Sequence, residues 1–226
     1  MNYDYSDYWQ NEFESRKKTR YYEKAYDKIK STISPRFGRK ILDVGGGNGQ
    51  FLAYLGVKNA TVFDISDSGL EFAKRKFGFS TVKGDVEKKF PFKDGSFDTA
   101  YCCEVLEHLD RPEFTVSEIK RVLKPDGEAI ISVPNVKPDG SHHKQWFRKE
   151  KLLGIVERQG LEIACVYHSP KFNGNEPLGG SLKEFIRRLV SKTGSLLLPY
   201  RLRLIMANFN PNVFSSFFVL KAKKTK

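Results

Sequence analysis

The sequence predicts an α/β domain in which a mostly parallel sheet carries helices on both faces. Three observations favour this class: strand-like apolar runs alternate with helical stretches over residues 39–169, a dense glycine cluster follows the first run, and the chain has 226 residues. Repeated strand–helix–strand units favour parallel pairing, because right-handed crossovers return each strand in the same direction.

The predicted elements follow in chain order. Residues 1–38 predict an aromatic, helical N-terminal cap, 39–169 a core, 170–211 a basic amphipathic insert, and 212–226 the final strand of a single domain. Gly160 closes the last core helix, and "KPDG" predicts a turn. The predicted strands are 40–44, 60–65, 79–85, 97–104, 128–134, 161–169 and 212–224, and the predicted helices are 67–77, 112–123 and 146–160.

The composition of the chain indicates which partners and which cellular compartment to expect. A net charge of +12 favours polyanionic neighbours, which include nucleic acid, an anionic membrane surface and an acidic substrate. Three cysteines are too few and too irregularly spaced for a disulfide framework, and no signal peptide is evident. No uncharged run approaches the ~20 residues of a membrane-spanning helix. We therefore expect a cytoplasmic protein.

The stretch "GGGNG", residues 45–49, lies where the first strand ends and a helix begins. Glycines let the backbone turn sharply and approach a ligand closely, and ligands of open α/β sheets bind at the carboxyl ends of strands. The dinucleotide pattern G-x-G-x-x-G fails because its third position is Gln50, which disfavours a nicotinamide oxidoreductase. No Gly-Lys-Ser/Thr follows, so the phosphate-loop pattern is absent as well.

The pattern acid-x-G-x-G-x-G does fit, over Asp43, Gly45, Gly47 and Gly49. It resembles the first motif of class I S-adenosylmethionine-dependent methyltransferases. The segments "VFDIS", "KGDVE", "FPFKDGSFDTAYCCEVLEHL" and "RVLKPDGEAIISVPN" resemble the later motifs of that family in the right order. The resemblance implies a Rossmann-like sheet of seven strands with the last antiparallel, and S-adenosylmethionine as the cofactor.

The same resemblance implies roles for individual residues. Asp43 supports the glycine loop, Asp64 binds the ribose hydroxyls, and Asp85 and Val86 meet the adenine. As alternatives, Asp64 would only cap a helix, which Ser66 or Asp67 does better, and Asp85 would only form a turn. The full set of expected cofactor-binding residues is Asp43, Gly45, Gly46, Gly47, Gly49, Asp64, Ile65, Asp85, Val86 and Glu104.

His108 is the best candidate for a general base, because histidine titrates near neutrality and this one follows the fourth strand. The alternative is that it packs on the following helix. A rival hypothesis is a metal site made by Glu104, Glu107 and His108 with His142 or His143, which resembles the metal-dependent small-RNA 2′-O-methyltransferases. We expect no metal ligands in the preferred interpretation.

The acceptor is expected to be a small molecule, apolar or lipid-like, since the nearest resemblance is to quinone-biosynthesis methyltransferases. The insert over 170–211 predicts either a packed lid or peripheral contact with an anionic membrane. Nucleic acid is a less favoured partner. Cys103-Glu104 stands where amino-group methyltransferases carry Asn-Pro-Pro-aromatic, and no proline precedes either cysteine as a cytosine-attacking nucleophile would require. A non-catalytic cofactor-binding protein is the remaining alternative.

Overall fold

A computed structural model describes residues 39–135, 137, 143–170 and 215–225 of the chain. The predicted cap over 1–38, and all but the first residue of the predicted insert over 170–211, lie outside the described residues. The division of the chain into cap, core, insert and final strand therefore stays a prediction.

The described residues form one sheet of seven strands, with four α-helices and a 3-10 helix. The strands are β1 (Ile41–Val44), β2 (Thr61–Asp64), β3 (Ser80–Lys83), β4 (Phe97–Cys103), β5 (Leu123–Pro134), β6 (Leu161–Pro170) and β7 (Ser215–Lys224). The helices are α1 (Gln50–Tyr54), α2 (Asp67–Phe77), α3 (Pro112–Val122) and α4 (Lys149–Arg158), and the 3-10 helix is Leu106–His108.

The strand order is β3-β2-β1-β4-β5-β7-β6. Strands β1 to β5 pair in parallel, whereas β7 runs antiparallel to both of its neighbours, β5 and β6. This arrangement confirms the predicted fold class, including the antiparallel last strand.

Local signals explain where the helices begin and end. The Ser66 hydroxyl accepts a hydrogen bond from the N–H of Gly69 at 3.2 Å and so caps α2, and Gly78 ends that helix with φ +71°. Pro112 lies in the first turn of α3, where its missing N–H costs no hydrogen bond. The predicted helix over 146–160 is shorter in the structure, since α4 covers only Lys149–Arg158.

Strand β5 begins five residues before the predicted position at 128. Phe97 of β4 pairs with Leu123, and Thr99, two residues later, pairs with Glu128. The intervening "KPDG" residues therefore loop out of the ladder as an extended bulge, with Asp126 at φ +60°. The turn signal in the sequence is correct, but it interrupts a strand that starts before it.

Two apolar layers hold the sheet, because side chains alternate between its faces with a period of two. Leu42 and Val44 pack in one buried cluster with residues of α3 and α4, and Ile41 packs in the other with residues of α1 and α2. Cys102 and Cys103 also divide between these clusters, as their adjacency in a strand predicts.

The carboxyl ends of β1, β2, β4 and β5 meet along one edge of the sheet. The chain order reverses direction between β1 and β4, and in open α/β sheets ligands bind at such a switch point. None of the helices in the described ranges has the length and apolar character that a bilayer-crossing segment requires.

Candidate functional site

The glycine turn after β1 is built from residues with left-handed backbone angles. Gly45, Gly47 and Gly49 have φ values of +67°, +52° and +69°, a region that side chains with a Cβ rarely adopt. The N–H of Gly49 donates to the carbonyl of Gly46 at 2.8 Å, and Gly49 leads directly into α1. Three positive φ angles in five residues explain why the sequence needs a glycine cluster here.

The turn also approaches its neighbours too closely for larger residues. A Cβ on Gly45 would lie 2.7 Å from a methyl group of Val105, which follows β4, and a Cβ on Gly46 would overlap the carboxylate of Asp43. The β1 turn and the segment after β4 therefore lie against each other at the switch point. This close packing leaves backbone, rather than side chains, at the surface of the turn.

Asp43 lies beneath the turn as a buried carboxyl group. Its Oδ2 atom has no hydrogen-bond partner, and burial, together with the charge of Asp64, raises its pKa to about 7. In the described part of the chain, only one other buried side-chain oxygen or nitrogen lacks a partner, and that is Oε2 of Glu107. Since buried polar groups are normally bonded, each of these two oxygens can accept a further hydrogen bond.

Asp64, at the end of β2, ties the glycine turn to the start of α2. Its Oδ2 accepts from the N–H of Gly47 at 2.9 Å, and its Oδ1 accepts from the N–H of Ser66 at 2.8 Å. Burial raises the pKa of Asp64, and these backbone donors oppose that rise. Each carboxylate oxygen has a second lone pair, so the group can accept further bonds from a ligand hydroxyl. Ser66, rather than Asp64, caps α2 through its side chain.

Ile65 and the segment after β3 supply apolar surface beside these acids. The side chain of Ile65 is exposed (60%), and it is the one large apolar residue among the described ones that is so exposed. Asp85 accepts a hydrogen bond from the N–H of Glu87 at 2.9 Å, which is a turn-forming contact. The half-buried Val86 packs against the core cluster that also contains Leu42. An exposed isoleucine next to Asp64 gives a flat ring a surface on which to lie.

Glu104 adopts an unusual backbone conformation at the end of β4, with φ +56°. Its Oε1 accepts from the hydroxyl of Ser132 on β5 at 2.7 Å, and its N–H donates to the Ser132 carbonyl at 3.1 Å. Ser132 therefore fixes Glu104 at the switch point. No sequence pattern marks this serine, because it lies within an apolar strand and only the strand register brings it next to Glu104.

Glu107, His108 and His143 form a second group beyond β4. One ligand atom from each of the three lies within 4.8 Å of the others, and the rings of His108 and His143 have centroids 5.0 Å apart. Nε2 of His108 is 3.6 Å from Oε1 of Glu107. Burial first, and then the charge of Glu104, raises the pKa of Glu107 above its usual range.

Backbone hydrogen bonds dock the segment that carries His143. The N–H groups of Lys144 and Gln145 both donate to the carbonyl of Glu107, at 2.8 and 3.1 Å. His143 is thus held next to the 3-10 helix, although it lies 35 positions after His108 in the sequence. The structure brings together Asp43, the glycine turn and Asp64 as one group, and Glu107, His108 and His143 as another.

Parts of the chain are similar to known methyltransferases. Residues 42–131 match the family model described as "Methyltransferase domain". The chain is 29% identical over 175 residues to a ubiquinone biosynthesis O-methyltransferase of Colwellia psychrerythraea, covering 65% of this chain and 71% of that protein. It is 28% identical over 157 residues to a ubiquinone/menaquinone biosynthesis C-methyltransferase of Ruegeria sp., covering 65% of this chain and 62% of that protein.

The fold has solved counterparts at low sequence identity. A SAM-dependent methyltransferase from Archaeoglobus fulgidus superposes with a TM-score of 0.63 at 21% identity, covering 89% of this chain and 94% of that one. Similarity at this level of identity shows that the architecture is shared.

Proposed function

The chain belongs to the class I S-adenosylmethionine-dependent methyltransferases, and we propose that it methylates a small, apolar acceptor of the quinone type. The enzyme class and the methyl donor are those of the family. The acceptor class is supported by two relatives whose names place them in ubiquinone biosynthesis. Both relatives are matched over only part of their length, so the acceptor is our proposal for this chain.

The main support for a cofactor site here is the Oδ2 atom of Asp43, which lies under the glycine turn and has no hydrogen-bond partner. A buried carboxylate without a donor suits the ammonium of the cofactor's amino-acid portion, and the turn from Gly45 to Gly49 offers backbone without side chains. In this proposal Asp64 accepts the ribose hydroxyls and Ile65 supports the adenine. Asp85 and Val86 lie at the adenine edge, and Glu104 borders the cofactor from β4.

S-adenosylmethionine supplies a methyl group already activated by a positive sulfonium. The protein therefore has to orient the acceptor, exclude water and remove a proton. His108 is our candidate for the proton acceptor, because its side chain is 41% exposed and so reachable by substrate. Nε2 of His108 is 3.6 Å from Oε1 of Glu107, and burial raises the pKa of that carboxyl group, which favours its neutral form.

A bound cation is a second candidate for the same group, and the orphaned Oε2 of Glu107 favours it. Two imidazoles and a carboxylate with ligand atoms within 4.8 Å suit a divalent transition metal such as zinc. A metal would act as a Lewis acid and lower the pKa of an acceptor hydroxyl. The relatives' names favour a small molecule over RNA as the acceptor.

Two wider expectations remain proposals. The three cysteines are free, which supports a reducing compartment such as the cytoplasm. Peripheral contact with an anionic membrane would depend on the insert over 170–211, most of which lies outside the described residues.

Replacing His108 by asparagine should lower kcat by about 100-fold or more, the usual contribution of a general base, and leave affinity for S-adenosylhomocysteine unchanged. Methyl transfer to soluble catechol and quinol probes measures the first quantity, and calorimetry measures the second. His168→Asn, on the far edge strand β6, is the matched histidine control. An unaltered kcat in the His108 variant would exclude both roles proposed for that residue.

The variant His143→Asn distinguishes the general-base role of His108 from a metal-binding role. If His108 acts as a simple base, the His143 variant retains most of its activity. If a metal is bound, elemental analysis finds about one ion per wild-type chain, and both histidine variants lose the ion and the activity together. Wild-type protein that holds no metal and is insensitive to chelator would remove the metal from the proposal.

A further inference from the structure

Two cations lie over the ring of Trp146, next to the Glu107–His108–His143 group. Nζ of Lys137 is 5.1 Å, and Cζ of Arg148 is 4.5 Å, from the ring centroid. Both cationic side chains are exposed, whereas Trp146 is half-buried. We name Lys137, Trp146 and Arg148 the tryptophan platform.

The platform carries two positive charges. Within the described ranges of the chain, no carboxylate forms an ion pair with Lys137 or Arg148. By contrast, two other cations of the chain have acidic partners: Nζ of Lys144 is 2.6 Å from Oδ2 of Asp110, and Nη2 of Arg158 is 4.0 Å from Oε1 of Glu113. Two positive charges near one ring repel each other, so an anion between or beside them would be stabilised.

The ring is fixed in place at the carboxyl edge of the sheet. The indole N–H of Trp146 donates to Oδ1 of Asn135 at 3.2 Å, and the buried Asn135 directly follows β5. His143, which touches the ring of His108, lies three residues before Trp146. The platform therefore lies on the same segment as His143, at the carboxyl edge of the sheet.

From this arrangement we infer that the platform binds an anionic group of the acceptor, either a carboxylate or a phosphate monoester. The inference rests on the proposed function and refines it, because the otherwise apolar acceptor would carry one anionic substituent. The guanidinium of Arg148 can pair with such a group through two hydrogen bonds, and Lys137 adds a point charge. The platform then selects acidic acceptors over neutral ones of the same shape.

The test uses the fluorescence of Trp146 in the full chain. Of the two tryptophans, Trp9 is replaced by phenylalanine so that Trp146 alone reports. The probes are benzoate, phenyl phosphate and the neutral benzyl alcohol, titrated with and without S-adenosylhomocysteine. The variants are Lys137→Gln and Arg148→Gln. The control, Lys74→Gln, removes an equal charge from exposed α2 at the other end of the sheet.

Both anions should bind at least about tenfold more tightly than benzyl alcohol. Each platform variant should weaken anion binding by about fivefold, as expected for one exposed ion pair, and leave benzyl alcohol unaffected. Equal binding of anions and alcohol, or the same loss in Lys74→Gln, would overturn the inference. A response only to phosphatidylglycerol vesicles, absent with phosphatidylcholine, would assign the platform to a membrane and also overturn it. Failure of S-adenosylhomocysteine to bind would contradict the proposed function instead, because the anion preference is also measured without it.

Discussion

Replacing Gly45 by alanine is expected to weaken cofactor binding by about 100-fold or more, which corresponds to about 2.7 kcal/mol. The new Cβ would lie 2.7 Å from a methyl group of Val105, and the residue would keep φ +67°. A positive φ alone costs about 1–2 kcal/mol for a residue with a Cβ, and the overlap with Val105 forces the turn to shift as well. Calorimetry with S-adenosylhomocysteine measures the affinity, and chemical denaturation measures the free energy of unfolding.

Gly78 provides a matched control for this change. It has φ +71°, and a Cβ placed on it would meet no atom within 4 Å, so Gly78→Ala carries the backbone cost without the overlap. That variant should lose stability but bind the cofactor product normally. Combining Gly45→Ala with Val105→Ala should recover part of the loss, because the clashing methyl groups are removed. Equal cofactor affinity in the Gly45 and Gly78 variants would show that close packing of the turn does not govern binding.

Replacing Asp43 by asparagine is expected to change how the stability of the cofactor-free protein depends on pH. Relative to wild type, the variant should be more stable at pH 8 than it is at pH 5. The folded-state pKa of Asp43 is about 7, against 3.8 for an ordinary aspartate. For a carboxyl group with a raised pKa, its contribution to stability is fully present below about pH 3.8 and is lost as the pH rises to about 7. Between pH 5 and pH 8 wild type should therefore lose about 2–3 kcal/mol that the variant does not lose.

Urea denaturation of both proteins at the two pH values gives this difference directly, and the contribution of other groups, including Glu107, cancels between them. The same variant should bind S-adenosylhomocysteine at least about tenfold more weakly, because in the proposed site it loses the charge that would face the ligand's ammonium. Parallel pH profiles for wild type and variant would contradict the buried, ionisable state of Asp43. Unchanged affinity would remove it from the cofactor site.

The fold class could be predicted from the sequence because local signals and the global architecture agree. The limits of α2 follow from Ser66 and Gly78, which carry their structural roles in their residue types. The start of β5 could not be predicted, because "KPDG" normally ends an element and here forms a bulge inside one. Only pairing with Phe97 of β4, a contact between distant residues, makes Leu123 part of the strand.

The proximity of Asp43, the glycine turn and Asp64 was predictable for a similar reason. Asp43 and Asp64 lie in the last residues of β1 and β2, the glycines follow β1, and parallel strands bring their carboxyl ends together. The contact between His143 and His108 depends on backbone bonds from Lys144 and Gln145 to Glu107, which no sequence pattern signals. Ser132 and the Trp146 platform were missed because strand register and the path of a loop, rather than residue spacing, determine where they lie.

The central claim is that the turn from Gly45 to Gly49 and the acid Asp64 bind the cofactor. Amide hydrogen exchange with and without S-adenosylhomocysteine tests this most directly, because it reports which backbone groups a ligand covers. We expect slower exchange at residues 45–50 and at 64–66, with little change in β6 and β7. Binding that protects other segments and leaves the glycine turn unaltered would contradict the account.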